Sequence, residues 1–124
     1  MNKIFFVIIV ILITPPHARA ETLGEPLRSP ADMTVAERME MLKTASKYDN
    51  CIYSQAISRA DDFSDIRHAA DFAMGVCRDK LGDLENSIKT MGFGPDFALA
   101  FTNHIRNRAA RKILPELAIR KSGG

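Results

Sequence analysis

The stretch VAERMEMLKTASKYDNCIYSQAISRADDFSDIRHAADFAMGVCRDKLGDLENSIKTM, residues 35–91, decides the fold. It reads as two helices folded back on each other, with Cys51 on the first and Cys77 on the second. The polar run Asp61-Asp62-Phe63-Ser64-Asp65 lies midway, and each cysteine stands thirteen residues from Ser64. Residues equidistant from the turn of an antiparallel helix pair lie at the same height. The spacing therefore brings the two thiols face to face.

Working outward, Thr34 and Glu37 fit a capping box that starts the first helix, expected over about 35–61. Met41, Leu42, Ala45, Tyr48, Ile52, Ala56 and Ala60 share one broad apolar face at helical spacing. Arg38 and Asp49 fall near that face and interrupt it. Asp61 and Asp62 oppose the negative end of the helix and favour a stop, while Ser64 and Asp65 suit the cap of the next.

The second helix, over about 65–91, has the most regular pattern. Ile66, Ala70, Ala73, Cys77, Leu81, Leu84, Ile88 and Met91 recur at three- and four-residue steps and draw one seam. Gly75 and Gly82 each cost about 1 kcal/mol relative to alanine inside a helix, so the spacing predicts a bend or a close approach there. Gly92 suits a left-handed C-terminal cap. A third helix, over about 95–113, starts at Pro95 with Asp96 on its positive end. Its stripe is Phe97, Phe101, Ile105, Ala109 and Ile113. Pro115 is expected to end or kink it, with Glu116–Lys121 adding one turn and residues 122–124 fraying.

No segment alternates apolar and polar residues as a strand would. The expected fold is all-α, a small antiparallel bundle of three main helices with one interhelical disulfide. The clamped domain spans 34–121, preceded by an extended or disordered arm over 21–33 that holds Gly24, Pro26 and Pro30.

Residues 1–20 have the three parts of a secretory signal peptide: Lys3, the apolar run Ile4–Ile13, then Ala18-Arg19-Ala20. Ten apolar residues rise only ~15 Å as a helix, against ~30 Å of hydrocarbon, which favours cleavage after Ala20 over a retained anchor. The expected location is periplasmic or secreted. Two cysteines in an exported chain most often pair, and 25 intervening residues do not suit a redox pair of the Cys-x-x-Cys kind.

The chain has 17 basic and 15 acidic residues, but Lys3 and Arg19 belong to the leader, leaving 15 against 15. Charge is uneven: 61–96 holds eight acids and four bases, and 106–121 holds six bases and one acid. His104, Arg108 and Arg111 follow at steps of four and three, with Arg106 and Lys112 nearby. Such a row suits an anionic lipid surface or acidic partner, or else pairs within the protein. Export counts against nucleic acid as the ligand.

His68 lies three residues from both Asp65 and Asp71, a pattern of a metal site or an acid–base pair, but too few ligands for a closed site. No nucleophile motif, phosphate-cradling glycine loop, haem motif or His-Glu-x-x-His occurs. No catalytic residue, metal ligand or cofactor is expected. In size, export and helix content the chain resembles the helical periplasmic chaperones of envelope stress, but their Leu-Thr-x-x-Gln repeats are absent and no family is assigned. The expected function is a non-enzymatic interaction module for an envelope or secreted protein. The alternative is a membrane-surface or anionic-ligand binder using His104, Arg108, Arg111 and Lys112.

Overall fold

The structure, a computed structural model, describes residues 24–123. The leader expected over 1–20 and the first residues of the arm lie outside the described residues. Four α-helices follow in order: α1 (Val35–Ser58), α2 (Ile66–Val76), α3 (Arg78–Thr90) and α4 (Pro95–Ser122). Two 3-10 turns, Pro30–Asp32 and Ala60–Asp62, complete the described residues' helical content. The molecule is all-α, as the periodicity requires.

The start of α1 is set by its capping box. The Thr34 hydroxyl accepts from the Glu37 amide at 3.2 Å, and the Glu37 carboxylate accepts from the Thr34 amide at 2.9 Å. Met41, Ala45, Tyr48, Ile52 and Ala56 turn inward and are buried. Leu42, expected on that face, is exposed instead. It stands far enough round the helix that burying it would bury the polar residues beside it.

Cys51 and Cys77 meet at bonding distance, with S–S 2.05 Å and Cα atoms 5.9 Å apart. The antiparallel placement of the two thiols is thus found. The second helix is not one element, however. It breaks at Cys77 (φ −88°, ψ 6°) into α2 and α3, so the bundle has four helices rather than three. Gly75 lies two residues before the break, and a Cβ there would meet nothing within 4 Å. The glycine signal therefore marks a bend and not a close approach. The seam survives the bend: Ala70, Ala73, Cys77, Leu84 and Ile88 are all buried, and α1 packs against both α2 and α3.

Gly92 ends the hairpin with φ +91°, the left-handed cap expected of it. The 3-10 and wider bonds from its amide to Lys89 and from Phe93 to Ile88 close the turn. Here α4 begins, and it does not stop at Pro115. Pro115 is exposed, so the carbonyl it leaves without a donor can face water. Beyond it Leu117 is fully buried, Arg120 pairs with Asp61 at 3.3 Å, and the Lys121 ammonium donates to the Phe63 carbonyl. These contacts hold the last turns helical through Ser122. At the other end Ala98 and Thr102 face the core, and the expected Phe97 and Phe101 flank it half-buried.

Residues 24–33 run extended except for the turn at Pro30–Asp32, and Arg28 ties them down. Its amide donates to the Gly92 carbonyl at 2.9 Å, and its guanidinium donates to the Met91 carbonyl at 2.8 Å and to Glu37. The guanidinium also lies over the Phe93 ring at 4.7 Å. One side chain so links the arm, the start of α1 and the α3–α4 turn.

Candidate functional site

The basic row of α4 is the strongest site signal in the sequence, and the structure divides it. Arg108 donates to Asp49 on α1 at 2.8 Å, and Lys112 stands 3.9 Å from the same carboxylate. His104 is exposed, forms no ion pair among the described residues and lies beside Phe101, ring centroids 6.5 Å apart and tilted by 36°. Arg111 is exposed and enters no ion pair among the described residues. The four candidates therefore do not converge on one ligand. Arg108 is turned onto an acid, while Lys112 stands beside the same acid at the surface.

That acid was visible in sequence only as a blemish on the apolar face of α1. Its position explains it: Asp49 follows the buried Tyr48 and faces the groove toward α4. Asp49 Oδ1 and Arg108 Nε are both buried without a partner, flanking the one bond they share. They are the two halves of a carboxylate–guanidinium fork with its second arm open.

Beside the fork lies a groove of about 310 Å³, lined by Asp49, Asn50, Tyr53, Ala109, Lys112 and Glu116 among others. Tyr53 leads from the groove onto the outer side of α1. There Val35, Met39, Leu42 and Tyr53 are 77%, 65%, 46% and 54% exposed. They stand four, three and eleven residues apart, which a period of 3.6 brings onto one side of the helix. Isolated exposed apolar residues are ordinary, but Val35, Met39 and Leu42 adjoin on this face and Tyr53 continues the line three turns on, beyond the exposed polar Ser46 and Asn50.

The acid–histidine group at the start of α2 has another use. Asp65 caps α2 by accepting from the Arg67 amide at 2.8 Å and binds the Arg67 guanidinium at 2.7 Å. The side-chain bond to Arg67 is the chief cause that holds Asp65 at about 2, well below the ordinary carboxylate value. His68 is exposed on the following turn. Among the described residues no three histidines, cysteines or acids come close enough to hold a metal ion, and no helix is long and apolar enough to cross a membrane.

Compared with protein families, curated proteins and solved structures, the chain matches none.

Proposed function

We propose that this protein is an exported, non-enzymatic interaction module that receives an apolar face of another envelope or secreted protein along the outer side of α1. The observation that carries this reading is the stripe Val35, Met39, Leu42 and Tyr53. Spacing of this kind is what a helix presents to a partner helix or groove. The Cys51–Cys77 bond supports export, because such bonds persist on the oxidising side of a membrane. The bond also ties α1 to the junction of α2 and α3, so that less order is lost when a partner docks.

The anionic-surface reading has weaker support. Asp49 occupies Arg108 and Lys112, and Asp61 occupies Arg120. What remains of the row is dispersed rather than convergent.

A photo-crosslinking side chain placed at Met39, Leu42 or Tyr53 tests the proposal in the native envelope. The same discrete adduct is expected from all three positions, and none from Lys80 on α3. Equal yields at Lys80 and at the stripe would contradict it.

A further inference from the structure

A second groove, of about 400 Å³, opens where α1, the break between α2 and α3, and α4 come together. It shares no residue with the groove beside Asp49. Met74 and Leu81 supply half-buried apolar walls, while Arg78, Arg106 and Asp71 are exposed around it. Tyr48 is the most deeply buried of its lining residues, at 1% exposure.

Tyr48 is also unusual among the buried side chains. Burial is the main cause that raises the pKa of its hydroxyl; the Arg106 charge opposes it and the Asp49 charge adds to it, and no hydrogen bond contributes. Its hydroxyl is not among the buried atoms left without a partner, and the residue lines a groove that also holds two guanidinium groups. No ion pair among the described residues holds either Arg78 or Arg106.

We propose that this groove binds a small apolar ligand ending in a carboxylate, the anion meeting Arg78, Arg106 and the Tyr48 hydroxyl and the apolar part lying on Met74 and Leu81. Two bases against one acid leave a lining charge of +1, which suits a singly charged anion better than a phosphate. The volume falls within the range of small-molecule sites, about 300–1,000 Å³. A free aliphatic acid and the C-terminus of a peptide share this chemistry. The inference stands independently of the α1 stripe.

Calorimetric titration of the full chain, disulfide intact, distinguishes the sources. The probes are octanoate, a short peptide ending in a free leucine carboxylate, and the same peptide amidated. Binding of octanoate alone assigns a free acid, and binding of the free-carboxylate peptide assigns a chain end. The amide should bind neither way. Tyr48→Phe, which keeps the ring in the core, should weaken binding about tenfold, one charge-assisted hydrogen bond's worth. Arg78→Gln with Arg106→Gln should remove it without lowering the melting temperature, since both side chains are exposed. No heat from either carboxylate up to about 10 mM, the weakest affinity such contacts would give, or equal binding by the double arginine variant, would overturn the proposal.

Discussion

Asp49 on α1 accepts from Arg108 on α4 across 2.8 Å, and it converts a row of positive charge into part of the helix interface. With Lys112 close to the same carboxylate and Arg120 against Asp61, three of the six bases in 106–121 stand against the chain's own acids. Asp49→Asn removes the charge that holds Arg108 and Lys112. We expect stability to fall by about 1–3 kcal/mol, because Arg108 is left half-buried without its counter-charge. We also expect salt-sensitive sedimentation with anionic vesicles to rise above that of the unaltered chain. Vesicle binding unchanged by Asp49→Asn would show that the pair does not govern the basic face.

The covalent clamp should be felt in the melting curve. Cys51 and Cys77 close a loop with a sequence separation of 26. Chain-entropy reasoning values such closure at about 3.5 kcal/mol. A Cys51→Ser, Cys77→Ser double variant should lose stability of that order in denaturant titration. The reduced native chain should show the same loss, and coincident curves before and after reduction would contradict it.

Acid should loosen the ends of the domain first. The bond from Arg28 is the largest cause that lowers Glu37 from 4.5 to about 2, and Asp65 is lowered to about 2 by Arg67. Both carboxylates have depressed folded-state values, so their contributions are complete above the ordinary carboxylate range and are lost as pH falls toward 2. The melting temperature should decline from about pH 5 downward. Glu37→Gln should flatten part of that decline, and an identical pH profile in the variant would contradict the assignment.

Two glycines should respond oppositely to alanine. A Cβ at Gly82 would meet nothing within 4 Å and its backbone is helical, so Gly82→Ala should stabilise by about 0.5–1 kcal/mol. Gly92 has φ +91°, and a Cβ there would lie 3.2 Å from Arg28 Cδ. Gly92→Ala should destabilise and free the arm, seen as faster amide exchange at Arg28, whose amide bonds the Gly92 carbonyl.

Features encoded by neighbouring residues were legible in the sequence. The Thr34–Glu37 box, the cap at Asp65 and the turn at Gly92 all follow from short spacing rules, and the facing cysteines from their equal distance to Ser64. The break at Cys77 was not, because a bend leaves the seam's three- and four-residue rhythm intact on both sides. Pro115 misled for a related reason: proline ends a helix only where its missing bond cannot be replaced, and burial of Leu117 holds the helix beyond it. Arg28 was hidden in a segment without pattern, since its partners Met91 and Phe93 are more than sixty residues away. Asp49 showed only as an interruption, and its pairing with Arg108, 59 residues on, needed three dimensions.

The most direct measurement is a thiol count on the chain taken from its native cell, denatured, alkylated without reductant and weighed. A clamped bundle in an oxidising compartment predicts that neither Cys51 nor Cys77 takes up label until reductant is added. Two labelled cysteines before reduction would contradict both the clamp and the compartment that sustains it.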